Sequence, residues 1–266
     1  MFFSVNNSAF KWIKRLIWFY VILFVFTKIV SVWFGTQFIE SCFCLSPHSF
    51  VNFQWWRFLT YSFLHADFWH IFCNLLLFYG LCKFLLTYET SLKFLLSIYT
   101  LGILVGGIFW IIVHIHQPFH SLIGASAGIA TLLTYFCLLY PEKSLSILIF
   151  FIFPIQIKAR WCFAILLIYE IINCLCYETQ NMTFIAHSAH LGGILIGALA
   201  VFIQKKKEES SMHSPKIAKN KYKVHIEEDE HIITELPFHL LKKLQEEGIG
   251  SLSAEEKRWL EKCRKL

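Results

Sequence analysis

Charge is scarce in this chain. Of its 266 residues only 16% are Asp, Glu, Lys or Arg, against 56% apolar, with 28 Phe and 9 Trp. A soluble domain cannot hide that much apolar surface, so lipid is the expected solvent for most of the chain. The net charge of +6 comes largely from loops and the tail, and no nucleic-acid partner is expected from it. An A-x-A-like cleavage site is missing after the first apolar run, where "SVWFGTQF" stands, so that run reads as a membrane anchor. No metal-ligand set stands out and no cofactor is expected. The "HIHQPFH" stretch (His114, His116, His120) reads as a solvated loop. The nine cysteines, Cys42, Cys44, Cys174 and Cys176 among them, read as free thiols packed among apolar neighbours.

What is abundant is long apolar sequence. Runs of about 18 or more residues suffice to cross a bilayer as helices, and six are found, near 16–34, 65–87, 93–115, 122–140, 160–177 and 185–204. Basic residues are nearly missing from every second loop: 35–64, 116–121 and 178–184 hold only Arg57. The opposite side carries Lys11, Lys14, Arg15, Lys83, Lys93, Lys143, Lys158, Arg160 and Lys205 to Lys207. Positive charge stays on the cytoplasmic side, so both termini are expected there, and spans two, four and six enter from outside. The segment "SLSILIFFIFPIQIKAR" (144–160) is apolar but short and interrupted by Pro154; it is expected to be interfacial or re-entrant.

Three segments are expected: a membrane domain over 1–204, a polar linker over 205–235 that reads as disordered, and a small helical hairpin over 236–266. In the last, Gly248 suits a helix C-cap, and Ser253 with Glu256 makes a capping box. Such a hairpin is too small to fold alone and is expected to dock on a partner or the membrane face.

Polar side chains inside a bilayer are costly, which makes each one a functional candidate. The second span holds His65, His70 and Asn74; the fourth holds Ser126; the sixth holds His187 and His190. At ~1.5 Å rise per residue, Ser126 lies ~7 Å from the outer end of its span, and His190, His70 and Asn74 fall near the same level. A serine hydroxyl becomes a nucleophile when a base within reach takes its proton, and His190 is the candidate base. The start of a helix offers backbone N–H groups without intrahelical acceptors, so Ser126 N–H, with His70 and Asn74, is the candidate oxyanion hole.

Gly124 and Gly128 around Ser126 have two plainer readings. One is a G-x-x-x-G packing face; the other is the G-x-S-x-G elbow of soluble hydrolases. The elbow needs a strand before it, which "QPFHSLI" is too short to supply. Gly193 and Gly197, on the face of the sixth span that carries His190, are expected to let it approach the Gly124/Gly128 face of the fourth. No carboxylate is expected beside His190, since Asp67 lies at the mouth of the second span and Glu170 reads as deep in the fifth. A Ser-His dyad follows, with Glu170 and Lys28 left without a role. A transporter or channel reading would use the same polar groups as an ion path.

These residues resemble the rhomboid family of intramembrane serine proteases. The resemblance rests on Trp56 and Arg57 in the first outer loop, "HADFWHIFCN", the "GAS" at Ser126, "AHLGGILIG" with His190, Gly193 and Gly197, and "FPIQIKARW". It implies an all-α, six-helix membrane bundle with a small cytoplasmic helical tail. It further implies cleavage of single-span membrane proteins near the outer face, with Ser126 and His190 as dyad. A bacterial inner membrane is the expected location and lipid a standing partner. Ala127, Ala130 and Leu86 depart from frequent family choices, and the first two bear on the backbone at Ser126 and the positioning of His190. An inactive, client-binding relative would typically lack Ser or His of the dyad; both are present here.

Overall fold

A computed structural model describes residues 7–87, 90–149, 153–212 and 253. The chain divides into two units, Met1–Ser214 and Pro215–Leu266. The expected tail hairpin and most of the expected linker lie outside the described residues.

The first unit is a helical bundle. In chain order its elements are α1 (Asn7–Phe34), three short helices α2 (Thr36–Phe43), α3 (Pro47–Val51) and α4 (Arg57–Thr60), a 3₁₀ turn (Tyr61–Phe63), α5 (Phe68–Thr87), α6 (Leu92–His114) and α7 (Ser126–Leu139). A hairpin of β1 (Ser144–Ile149) and β2 (Phe153–Lys158) follows, then α8 (Ala159–Asn173), a π turn (Cys174–Glu178) and α9 (His187–Met212). Among the described residues five helices are long and apolar enough to cross a membrane: α1, α5, α6, α8 with its π turn, and α9. The chain is an integral membrane protein.

The fourth expected span departs from the rest. Helix α7 has 14 residues, or ~21 Å of axial length. Residues 122–124, expected to be helical, are not: Leu122 pairs with Leu45 as an isolated antiparallel bridge, and Gly124 has φ +109°. What α7 lacks in length it makes up in burial. Nearly every residue from Ala127 to Cys137 is buried, because α5, α6, α8 and α9 all pack around it.

That central position demands close helix contact. A Cβ added at Gly193 would lie 2.1 Å from the Ala127 carbonyl oxygen, and one at Gly197 would lie 2.5 Å from that of Thr131. Helix α9 therefore rides on the backbone of α7, as its glycines suggest, but against Ala127, Thr131 and Thr134. The expected meeting with Gly124 and Gly128 does not occur: Gly128 abuts the Tyr99 ring of α6, and Gly124 lies under His70. Thr131 spans the α7–α9 contact, donating from Oγ1 to the carbonyls of Ala127 (3.0 Å) and Gly193 (2.9 Å). The G-x-x-x-G is thus a packing pattern with two different partners, neither of them α9.

The 144–160 segment is a two-stranded antiparallel hairpin in register from Ser144 opposite Lys158 to Ile149 opposite Phe153. Two strands keep two unpaired edges that hydrocarbon cannot satisfy, so it suits the polar interface and not a re-entrant position. Glu142 beside it accepts from Lys158 (2.8 Å) and Arg160 (2.7 Å), and the hydrogen bond from Lys158 holds its carboxyl below the usual range. All eight cysteines among the described residues are free.

Candidate functional site

The 35–67 loop is tied down by the pair Trp56 and Arg57. Trp56 Nε1 donates to the Cys42 carbonyl at 3.3 Å. Arg57, only 7% exposed, donates to the carbonyls of Cys44 (3.0 Å), Glu40 (3.4 Å) and Ser41. These are the last carbonyls of α2 and the residue beyond it, where the helix dipole favours a cation. Both residues are far more scaffold than chemistry. From the 3₁₀ turn, Tyr61 donates its hydroxyl to the Ile103 carbonyl of α6 (2.7 Å) and accepts Gly124 N–H at its own carbonyl (2.9 Å). The loop thus fixes the turn that precedes Ser126.

That turn sets the serine. Gly124 needs its positive φ, and a Cβ there would lie 2.8 Å from His70 Nε2. Ser126 is the first residue of α7, so its N–H and those of Ala127 and Gly128 have no helical carbonyl before them. Ser126 Oγ lies 2.8 Å from His190 Nε2. The two side chains expected to meet do meet.

His190 is held from its other nitrogen. Its Nδ1 lies 3.0 Å from Glu170 Oε1, and His187 Nδ1 lies 2.6 Å from Glu170 Oε2. The expectation that no carboxylate stands beside His190 is therefore wrong. Glu170 is one of two buried residues of α8, 4% exposed, and it is buried against α9. His187 and His190 are three apart on α9 and so share the face that meets it. The restraint on His190 that Ala130 does not supply comes from α8. The signal was available in the sequence: counted back from residue 177, Glu170 is seven residues, or ~10 Å, from that span's end, close to the level found for Ser126 and His190.

The start of α9 is itself anchored. The π turn after α8 brings Glu178 under it, and the Glu178 carboxylate accepts from Ser188 N–H (2.6 Å) and Ser188 Oγ (2.7 Å). A carboxylate at a helix N-terminus is favoured by the dipole, and π turns recur where local geometry serves a site. Glu178 thereby fixes the first turn of α9, which carries both imidazoles.

The second-span residues divide. His70 lies against Gly124, with its backbone N–H accepted by Asp67 Oδ1 at 2.9 Å. Asn74 is buried and donates from Nδ2 to His65 Nε2 at 3.0 Å. His65 stands before α5 and not within it, and its ring lies 4.9 Å from that of His70. Burial pushes the His65 imidazole down to about 4, so it is neutral and accepts from Asn74. One N–H of the Asn74 amide remains for another acceptor. Lys28, without a role in the sequence, donates to the Ala66 carbonyl at 2.6 Å.

The same three groups, Glu170, His187 and His190, form the described cluster whose donor atoms, within 4.8 Å of one another, could converge on a divalent cation. Their 2.6 and 3.0 Å contacts are also ordinary charge-assisted hydrogen bonds. Elsewhere His114 donates from Nδ1 to the Trp110 carbonyl (3.0 Å) and is buried, which corrects its expected place in a solvated loop.

Among curated proteins none matches the chain. The Rhomboid domain family model matches residues 52–207, more than half of the chain and the stretch that holds every group described above except Lys28 and the α2 carbonyls. On that match, and on a bundle of apolar helices with a half-buried Ser-His pair at one end, the chain belongs to the rhomboid family.

Proposed function

We propose that this chain is an intramembrane serine endopeptidase that cleaves transmembrane segments of single-span membrane proteins near the outer face of a bacterial inner membrane. One observation carries the reading: Ser126 Oγ and His190 Nε2 stand 2.8 Å apart, at the N-terminus of a helix buried in an apolar bundle. Ser126 Oγ attacks the scissile carbonyl while His190 Nε2 takes its proton. The oxyanion meets Ser126 N–H and the side chains of His70 and Asn74. His190 then gives the proton to the leaving amine, and water, deprotonated by the same nitrogen, attacks the acyl-enzyme to release the second product. The alternation of basic loops supports cytoplasmic termini and a site near the outer face.

The test is labelling of detergent-solubilised protein with a fluorophosphonate, beside cleavage of a single-span reporter. Ser126→Ala and His190→Ala should each abolish both signals. Asn74→Ala and His70→Ala each remove one oxyanion donor, which typically costs about 10²–10³ in rate, so weak cleavage should persist. Cleavage in Ser126→Ala comparable to that in Asn74→Ala would remove Ser126 as nucleophile. Client binding without any labelling of the wild type would identify an inactive relative, and proton or ion flux surviving Ser126→Ala would identify a transporter.

A further inference from the structure

We infer that Glu170 is a positioning residue that turns the Ser-His pair into a Ser-His-Glu relay, with His187 as the second donor that keeps its buried carboxylate ionised. The inference rests on the reading of Ser126 and His190 as nucleophile and base.

The argument begins with donors and acceptors. An ionised carboxylate only accepts, so each imidazole nitrogen facing it must carry its proton. At 3.0 Å, His190 Nδ1 is then N–H, and the neutral ring keeps its lone pair on Nε2, which faces Ser126 Oγ at 2.8 Å. The carboxylate thus selects the one neutral tautomer able to take the serine proton. When that proton arrives, the ring becomes a cation beside a fixed, buried anion, and the pair attracts more strongly than it would in open water.

A carboxylate 4% exposed needs partners to stay charged. His187 supplies the second one, at 2.6 Å, from a position 1% exposed. The two oxygens are therefore used by two different imidazoles of one helix face. Glu170 itself comes from α8, a helix that otherwise buries only Ala159 among its residues. A purely structural α8–α9 tie would need only one such bond. The second bond, to the imidazole that touches Ser126, is the one that links the tie to chemistry.

Glu170→Gln is the isosteric test. An amide presents one acceptor and one donor where the carboxylate presents two acceptors, so one of the two imidazoles must change tautomer, and the anion is gone. The expected result is a fall in kcat of about 10²–10⁴ with KM little changed, the upper figure being the loss when the acid of a Ser-His-Asp triad becomes its amide. His187→Gln, which leaves the carboxylate in place, should lose much less.

A readout apart from activity comes from ¹⁵N-histidine-labelled, detergent-solubilised full-length protein. His190, assigned by its absence in His190→Ala, should show a protonated Nδ1 and a bare Nε2 in the wild type. That pattern should be lost or mixed in Glu170→Gln. Wild-type His190 protonated on Nε2 overturns the inference, and this holds even if Glu170→Gln fails to fold. A kcat unchanged in folded Glu170→Gln, or a loss confined to KM, overturns it as well. Loss of wild-type activity to a divalent-metal chelator also overturns it, because the three groups would then be metal ligands. If wild-type protein takes no fluorophosphonate at all, the protease reading fails; full labelling in Glu170→Gln sinks only the relay.

Discussion

Adding a single methyl group at Gly193 should uncouple the serine from its base without touching either. In Gly193→Ala the new Cβ would stand 2.1 Å from the Ala127 carbonyl oxygen and 3.1 Å from Thr131 Oγ1, whereas ordinary contact begins at 3.4 Å. The shortfall against backbone is about 1.3 Å, and neither helix can relieve it by turning a side chain, because the obstacle is a carbonyl oxygen. Helices α7 and α9 must separate locally. Ala127 follows Ser126, and Gly193 is three residues beyond His190, so the separation falls within one turn of both groups. Carried along the line between them, it stretches 2.8 Å to about 4 Å, beyond hydrogen-bond reach. A displacement of about 1 Å at a reacting centre typically costs ~10² in rate, and that is the expected loss in reporter cleavage and in the rate of fluorophosphonate labelling. The control is Gly80→Ala on α5, where an added Cβ meets nothing within 4 Å and activity should be unchanged. Wild-type labelling rates in a folded Gly193→Ala protein would refute the claim that helix spacing sets the Ser-His distance.

Arg57→Ala strips the buried cation from the α2 carbonyls and should cost about 2–4 kcal/mol in detergent unfolding, given that hydrogen bonds from a charged donor are worth ~1.5–3 kcal/mol each; Arg57→Lys, a point charge, should recover only part of it. The His65 imidazole is held down at about 4 by burial, below its ordinary 6.5, so its contribution is intact above pH 6.5 and is lost as pH falls towards 4. Thermal unfolding should therefore show an acid-labile component of up to about 3 kcal/mol that His65→Gln lacks; identical pH profiles would refute the assignment. Reporter fusions at residues 45 and 118 should read as outside and those at 90, 145 and 215 as inside; an outside reading at 145 would place the hairpin on the wrong face of the membrane.

The bundle was legible because membrane helices announce themselves by length and apolarity, with no need of tertiary context. Helices α1, α5, α6, α8 and α9 lie within a few residues of their expected limits, apart from ends that run on into polar sequence, as α1 does to Asn7 and α9 to Met212. Where contacts decide the backbone, sequence patterning misled. Residues 122–124 are apolar enough to be helix, but Leu122 pairs with Leu45 and Gly124 answers to Tyr61 and His70, so the helix starts only at Ser126. The 144–160 run is apolar enough to suggest membrane, and no Asn-Gly or Asp-Gly stands between its two strands to announce their antiparallel pairing.

The site was half legible, and the missing half has one cause. Ser126 and His190 stand out as polar residues in apolar helices, and their depth follows from counting residues along one helix at a time. Glu170 failed to register because its value lies in a pairing: a buried carboxylate looks prohibitive until two donors are placed against it, and both come from another helix. Likewise His187 is unremarkable beside His190 until α8 packs on their common face. Gly193 and Gly197 were assigned the right partner helix and the wrong residues on it, since a glycine states that something comes close but not what. Thr131 carried no signal, being a small residue whose hydroxyl commonly bonds its own helix, as it does here to Ala127, while also reaching the Gly193 carbonyl of α9. A polar residue inside a membrane therefore reveals its own depth from sequence, whereas its role depends on which other helix brings the complementary group to that same depth.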